Sequence, residues 1–76
     1  MPHVVVKMYA GKSEQQKARL AEAITKAVMS GASCTEDAVS VAIEDVEPGD
    51  WAEMVFKPEI KGKWDRIYKK PGYDLF

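Results

Sequence analysis

Apolar and polar residues alternate along the chain in a pattern that predicts a strand, a helix and a second strand. The first strand covers His3 to Met8 and has three consecutive valines at its centre. Successive β-branched residues are typical of a strand that is covered on both faces, as in parallel sheets. In the second strand, Val39, Val41 and Ile43 alternate with small or polar residues, which is the period of a strand with one apolar face.

Between the two strands, apolar residues recur at the spacing of an amphipathic helix. Ser13 has the chemistry of a helix N-cap, and Gln16, three residues later, completes a capping box. The apolar stripe consists of Leu20, Ile24, Ala27 and Val28. We expect a helix of about 17 residues that stops at Gly31. A strand, a helix and a strand in this order predict a right-handed parallel crossover.

The pattern after the second strand is less regular. Residues 47–50 have the composition of a turn, and residues 51–56 fit a short helix, with an extended segment as the alternative. Pro58 suits the first position of a second helix. Four apolar residues at i, i+4, i+7 and i+8 extend this helix to about Lys69: Ile60, Trp64, Ile67 and Tyr68. Pro71 and Gly72 end it, and residues 73–76 are expected to form a tail.

The length of the chain limits how stable one copy can be. With 76 residues it is predicted to form a single domain over residues 1–76. A chain of this size buries only about 60% of the surface that its unfolded form exposes, and a sheet of two strands is too small to be stable alone. We therefore expect a homo-oligomer, with a dimer favoured, in which protomers join their sheets. A pocket at the start of the first strand would then be walled partly by the second subunit.

Composition and charge narrow the classes of function. The hydrophobic fraction is 46% and no apolar run is long enough to span a bilayer. We therefore expect a soluble, cytoplasmic protein without a membrane or secretory segment. The net charge of −1 gives no general attraction to nucleic acid, although residues 61–70 are locally basic. One histidine and one cysteine, His3 and Cys34, are too few for a protein-only zinc site, so no metal site is predicted.

Pro2 is the strongest candidate for chemistry. If Met1 is removed, the proline carries a secondary amine at the start of an apolar strand. An α-amino group has a pKa of about 7.7 to 8.0, and apolar surroundings or nearby cations lower it by disfavouring the ammonium form. Such an amine can act as a general base near neutral pH. The alternative is that this proline has no chemical role, because proline is common at the second position of a chain.

Several short segments occur in a characteristic order. Met1-Pro2 precedes the apolar strand, a Gly-Lys-Ser-Glu-Gln-Gln-Lys helix start follows, and a Val-Ser-Val-Ala-Ile-Glu-Asp-Val strand leads to Gly-Asp-Trp. Together they resemble the 4-oxalocrotonate tautomerase family, from Pro2 to about Trp51. Residues 14–17 and the tail at residues 69–73 are similar to the dimeric PptA-type members. The resemblance implies an α/β (α+β) fold with a β-α-β protomer, and a cofactor-free keto–enol tautomerase, which is an isomerase.

The resemblance implies a role for Pro2 and for a cation beside it. Pro2 would take the hydroxyl proton of a small 2-hydroxydienoate or arylenolpyruvate and return it to a carbon, without a metal or organic cofactor. The family has an arginine in the loop before the first helix, where it meets the substrate carboxylate, and this chain has Lys12 there. Lysine supplies charge but not the two-point grip of a guanidinium. The alternative for Lys12 is an ordinary solvated loop lysine.

The resemblance also assigns substrate contacts to Ser40 and Trp51. Ser40 stands where the hexameric members have a second arginine, from a neighbouring subunit, that polarises the carbonyl being formed. A hydroxyl donates only a neutral hydrogen bond, so we expect slower turnover of dicarboxylates unless His3, Arg66 or Trp51 compensates. The alternative is that Ser40 is simply a small residue on a polar strand face. Trp51 stands at an aromatic position that lines the pocket and lowers the pKa of the amine by desolvation, with core packing as its alternative.

The sequence supports two hypotheses of different classes. The first is a tautomerase with Pro2 as general base and acid. The second is a non-catalytic or weakly active dimeric module that binds small molecules on the same scaffold, which Lys12 and Ser40 in place of arginines favour. If Met1 is retained, the Pro2 nitrogen is an amide and cannot act as a base. Hydration or dehalogenation of unsaturated acids would need stronger carboxylate clamps and a water-activating residue, and the sequence identifies neither.

Overall fold

The chain folds as a parallel pair of strands joined by a helix. The computed structural model describes residues 1–75, and Phe76, the last residue of the predicted tail, lies outside them. Strand β1 spans His3–Tyr9, helix α1 spans Glu14–Ala32 and strand β2 spans Ser40–Val46. The strands are parallel neighbours, with His3 opposite Ser40 and Tyr9 opposite Val46. The predicted α+β class and the parallel β-α-β arrangement are therefore confirmed.

Helix α1 begins at the capping box that the sequence predicts. The Ser13 side chain accepts a hydrogen bond from the Gln16 N–H at 3.1 Å, and the Gln16 side chain accepts one from the Ser13 N–H at 3.0 Å. Two of the unpaired N–H groups at the helix start are thereby satisfied. The predicted stop at Gly31 is wrong, because Gly31 lies inside the helix, which continues to Ala32. The left-handed residue after the helix is Ser33, with φ of 53° and its N–H bonded to the Met29 carbonyl.

The two faces of the sheet have different surroundings. Side chains alternate along each strand, and residues paired in a parallel sheet point to the same face. The face that packs against α1, which we call the helix face, carries Val4, Val6, Met8, Val41, Ile43 and Asp45. The opposite face, which we call the open face, carries His3, Val5, Lys7, Tyr9, Ser40, Ala42, Glu44 and Val46. An ion pair of 2.8 Å between Lys17 of α1 and Asp45 fastens the helix to its face.

The second helix does not lie where the sequence predicts it. It is a π-helix that spans Ala52–Lys61 and contains Pro58, whereas a helix from Pro58 to Lys69 was expected. A proline inside an α-helix clashes with the carbonyl four residues before it, and the wider π-turn relieves that contact. The Gly62 N–H accordingly donates to the carbonyl of Lys57, five residues back, at 2.8 Å. The expectation of a short helix in residues 51–56 is confirmed, since the π-helix begins there.

Gly62 follows the π-helix at a position where no larger residue fits. A Cβ atom at this position would lie 2.7 Å from the carbonyl oxygen of Pro58 and 2.9 Å from that of Lys57. Both distances are closer than real Cβ contacts, and neither backbone group is free to move aside. After Gly62 the chain makes one 3₁₀ turn at Trp64–Arg66 and then becomes extended at Ile67. The regular apolar spacing of this segment therefore does not correspond to a helix.

The buried core of one protomer is small. Among the described residues, Val55 and Phe56 of the π-helix are fully buried, with 5% and 2% of their surface exposed. Helix α1 has no fully buried residue, and Val5 on the open face is 43% exposed. Other large apolar side chains are also exposed: Tyr9, Met54, Trp64, Tyr68, Tyr73 and Leu75. The structure thus leaves apolar surface that a second subunit could cover.

No helix formed by residues 1–75 combines the length and the apolar character needed to cross a membrane.

Candidate active site

Pro2 lies at the amino end of β1, where the chain enters the sheet. Its carbonyl accepts a hydrogen bond of 3.1 Å from the N–H of Ser40, so its position is fixed relative to both strands. The ring is half-buried, whereas Met1 is fully exposed, with 101% of its surface accessible. Removal of Met1 would therefore disturb no packing, and it would convert the Pro2 nitrogen from an amide into a secondary amine.

Ser40 and His3 form a hydrogen-bonded pair beside Pro2. The Ser40 Oγ lies 2.6 Å from the His3 Nδ1, and both side chains are on the open face at the amino end of the strands. The imidazole Nδ1 donates in one tautomer and accepts in the other. In the tautomer in which Nδ1 donates, the hydroxyl proton of Ser40 is free to bond a substrate oxygen. Ser40 is thus hydrogen-bonded to His3. His3 is one of the residues predicted to compensate for the arginine that Ser40 replaces.

Lys12 occupies the loop that links β1 to α1. Gly11, with φ of 126°, turns the chain in a conformation that favours glycine, and Lys12 follows it at the mouth of a small cavity of about 180 Å³. Lys17 lines the same cavity, but Asp45 and Glu14 pair with it, and the hydrogen bond that Lys17 donates to Asp45 raises the pKa of Lys17. Lys12 makes no ion pair with any residue in the described range 1–75. It is therefore the lysine of this cavity whose charge remains available to an anion.

Trp51 lines a groove at the carboxyl end of the strands. Its ring meets that of Tyr9 edge to face, with centroids 5.4 Å apart and planes at 83°. Its indole N–H donates a hydrogen bond of 3.1 Å to the Tyr73 hydroxyl oxygen. The aromatic groove, as we call it, has a volume of about 460 Å³ and is lined by Tyr9, Trp51, Tyr73 and Leu75. Trp51 is half-buried, so it forms a wall rather than part of the core.

The π-helix that follows Trp51 is held against the open face by an ion pair. Lys7 of β1 donates to the carboxylate of Glu59. This hydrogen bond to Glu59 raises the pKa of Lys7 above 10.5, and its effect is larger than that of burial, which lowers the pKa. Since Trp51 immediately precedes the π-helix, this contact helps to fix the position of the tryptophan.

The four predicted site residues do not meet within one protomer. Pro2 and Ser40 lie at the amino end of the sheet, and Lys12 and Trp51 lie beyond its carboxyl end. A strand residue advances the chain by about 3.3 Å, so the two ends of this seven-residue strand are about 20 Å apart. Each protomer therefore holds two half-sites, which we call the proline half-site and the tryptophan half-site.

Sequence reasoning missed three residues of the tryptophan half-site: Tyr9, Tyr73 and Leu75. Tyr9 ends a strand and the other two follow Pro71-Gly72, so no periodicity marks them as neighbours of Trp51. The remaining candidate, Arg66, lies in the 3₁₀ turn after the π-helix. Within residues 1–75, no three histidine, cysteine, aspartate or glutamate side chains are grouped to hold a metal ion.

Several known proteins are similar to this chain in sequence. The sequence model of the family described as "Tautomerase enzyme" matches residues 2–55. A probable tautomerase from Xylella fastidiosa is 40% identical over 73 residues, which cover 96% of this chain and 89% of that protein. Tautomerase PptA from Cronobacter sakazakii is 34% identical over 76 residues, which cover 99% of this chain and all of that protein.

A solved structure shares the fold as well as the sequence. TomN, described as a 4-oxalocrotonate tautomerase homologue in the tomaymycin biosynthetic pathway, superposes with a TM-score of 0.64 and 34% identity. The superposition covers 66% of this chain and 77% of TomN. The family match begins at Pro2, includes both strands and α1, and extends into the π-helix. The chain therefore belongs to the 4-oxalocrotonate tautomerase family and is an isomerase of the tautomerase type.

Proposed function

We propose that this tautomerase interconverts the enol and keto forms of a small 2-hydroxydienoate or arylenolpyruvate, with Pro2 as general base and acid after loss of Met1. It would act in the cytoplasm as a homodimer. The observation that carries the proposal is the position of Pro2: the family match begins there, and its carbonyl is bonded to Ser40 of the neighbouring strand. This bond fixes the Pro2 carbonyl at the amino end of the sheet, which keeps the amine close to Ser40.

A dimer explains how the two half-sites could meet. Each strand of the two-stranded sheet formed by the described residues has one free edge, and the edges of β1 from two copies can pair antiparallel about a two-fold axis. With the axis near Val6 in the middle of β1, Pro2 would lie opposite Ala10 of the partner subunit. It would then sit between the partner subunit's Lys12, beside the helix face, and the partner subunit's Trp51, beside the open face.

The assembled site would divide the chemistry among its residues. Lys12 attracts the substrate carboxylate by charge, and Trp51 excludes water from the amine, which favours the neutral base. Pro2 takes the proton of the enol hydroxyl and delivers it to a carbon of the conjugated system, so the substrate is isomerised with no net change in composition. The Ser40 hydroxyl donates a hydrogen bond to the oxygen that becomes the carbonyl.

Blocking the amine tests the proposal. A variant with one bulky residue inserted between Met1 and Pro2, called the blocked variant, keeps the proline nitrogen in an amide and leaves the Pro2 carbonyl free to bond Ser40. We expect its rate of arylenolpyruvate ketonisation, followed by ultraviolet absorbance, to fall about 100-fold or more, since general acid–base catalysis contributes about 10² to 10⁴. Its melting temperature should match that of the protein from which Met1 has been removed, as verified by intact mass.

A matched variant separates the amine from the proline ring. Pro2→Ala retains a primary amine at the same place, so it should keep more activity than the blocked variant. Full activity in the blocked variant would show that the base is another group and would refute the role given to Pro2.

A further inference from the structure

We propose that Tyr73 is a positioning residue for Trp51, and that the tail thereby sets the preference of the site for substrates with an aryl side chain. This inference rests on the proposed tautomerase function and adds to it the residue that controls the substrate class. Neither the family match, which ends at residue 55, nor the sequence pattern assigns a role to the tail.

The indole of Trp51 is held from two sides. Tyr9 contacts the ring edge to face at 5.4 Å, which restricts the plane of the indole but leaves its N–H free. The Tyr73 hydroxyl oxygen accepts that N–H at 3.1 Å, and this bond selects one orientation of a half-buried ring that solvent would otherwise let rotate. Tyr73 therefore determines which surface Trp51 presents to the groove.

Tyr73 is itself anchored to the core of the protomer. Its ring packs against Phe56 with centroids 5.7 Å apart and planes tilted by 41°. Phe56 is 2% exposed and lies on the π-helix. The tail is thus fixed at Tyr73 by its contact with Phe56, the most buried side chain of the described residues. The hydrogen bond from the indole to the Tyr73 hydroxyl then fixes the indole relative to Phe56.

The groove that these contacts shape fits a planar apolar group. Its volume of about 460 Å³ is within the range of pockets that hold small ligands. Its walls are three aromatic rings and Leu75, which favour edge-to-face or offset contacts with an aryl ring. Lys12 lies at the same carboxyl end of the sheet as the groove, but beside the helix face. A substrate that carries its carboxylate and its aryl ring at opposite ends can therefore use both sides, whereas a short alkyl enol acid leaves the groove empty.

The test compares the same substitution at two tyrosines. Tyr73→Phe removes the hydroxyl and keeps the ring on Phe56, and Tyr68→Phe makes the identical change at a side chain that is 106% exposed. Both are made in a Trp64→Phe background, so that Trp51 is the remaining tryptophan. The readouts are Trp51 emission, and kcat and KM for phenylenolpyruvate and for an alkyl 2-hydroxydienoate.

In Tyr73→Phe we expect the ratio of kcat/KM for the aryl substrate over the alkyl one to fall about fivefold, the value of one hydrogen bond. The change should lie mainly in KM for the aryl substrate, with an altered emission spectrum and an unchanged pH profile, whereas Tyr68→Phe should match its parent. An unchanged emission spectrum, or a lower melting temperature with an unchanged ratio, would overturn the proposal. If the blocked variant remains active, the role of Pro2 fails, but the emission and the ratio still decide the role of Tyr73.

Discussion

Lys12 is the residue proposed to bind the substrate carboxylate through a single positive charge. It makes no ion pair with residues 1–75, whereas Lys17 in the same cavity is paired with Glu14 and Asp45. Lys12→Ala should raise KM about tenfold, the cost of a lost charge-assisted hydrogen bond, with little change in kcat. Lys12→Arg should lower KM, because a guanidinium binds a carboxylate at two points.

The control for Lys12 is Lys63→Ala, which removes an exposed lysine from the segment after the π-helix. Equal KM values in Lys12→Ala, Lys63→Ala and the parent would favour the alternative of an ordinary solvated loop lysine. Steady-state kinetics with phenylenolpyruvate distinguishes a lysine that binds the carboxylate from a solvated loop lysine.

Single residues were predictable from the sequence where their effect is local. The capping box of Ser13 and Gln16 spans only four residues of chain, and the structure has it as predicted. The contacts of Trp51 with Tyr9 and Tyr73 join segments that are far apart in sequence, and they depend on where the tail folds back. The hydrogen bond between Ser40 and His3 likewise requires the register of the two strands, which the alternation of apolar residues does not specify.

At the scale of elements, the π-helix depends on Gly62 at its end. Gly62→Ala would place a methyl group within 3 Å of two carbonyl oxygens, so we expect a loss of about 1 to 3 kcal/mol in the free energy of unfolding, as for other overpacked sites. The matched control is Gly31→Ala inside α1, where a Cβ meets nothing within 4 Å. That change should stabilise the protein by about 0.5 to 1 kcal/mol. Urea unfolding would measure both, and a neutral Gly62→Ala would contradict the steric explanation.

The attachment of the π-helix should weaken at alkaline pH. Glu59 raises the pKa of Lys7 above 10.5, so the folded state binds this proton more tightly than the unfolded state. The contribution of the pair is therefore complete below pH 10.5 and is lost as the pH rises through the higher pKa of the folded state. Glu59→Gln should lower stability at pH 8 and flatten its decrease between pH 10 and 12, measured by thermal unfolding.

The control for this pair is Glu53→Gln, which removes an exposed pair with Lys57 inside the π-helix itself. It should leave the alkaline dependence close to that of the parent. An identical alkaline slope in Glu59→Gln and the parent would show that Lys7 does not fasten the π-helix.

The second helix also shows the limit of reading elements from periodicity. The spacing of Ile60, Trp64, Ile67 and Tyr68 fits an α-helix, but Tyr68 is fully exposed and Ile67 is extended. The spacing carried no information about the steric conflict at Pro58, which a wider turn resolves. The β-α-β part has no such conflict, and its element order and the helix start at Ser13 were predicted correctly, although the helix ends at Ala32 and not at Gly31.

At the scale of the molecule, the two half-sites lie about 20 Å apart, and the proposed dimer predicts that a second copy completes each site. Mixing the blocked variant with Lys12→Ala should restore activity after subunit exchange. In each mixed dimer one site combines an intact Pro2 with an intact Lys12. Random exchange makes half of the dimers mixed, so about a quarter of the normal sites are recovered. Initial rates at substrate concentrations well below KM would measure the fraction of sites that is recovered.

Each parent variant mixed with itself is the control for subunit exchange. If the mixture is no more active than the average of its parents although exchange is verified by mass spectrometry, then Pro2 and Lys12 serve the same site within one subunit. The pairing of β1 edges would then be wrong.

The exposed Met1 and the tail at Tyr73 have a practical consequence for anyone who purifies this enzyme. An affinity tag at the amino terminus would keep the Pro2 nitrogen in an amide bond. A bulky fusion after the tail would crowd the aromatic groove. A label inserted between α1 and β2, near the exposed Thr35 that precedes the 3₁₀ turn at Glu36–Ala38, avoids both ends. With Pro2 as the proposed base, protein that carries a tag at its amino terminus would fold normally and yet be inactive.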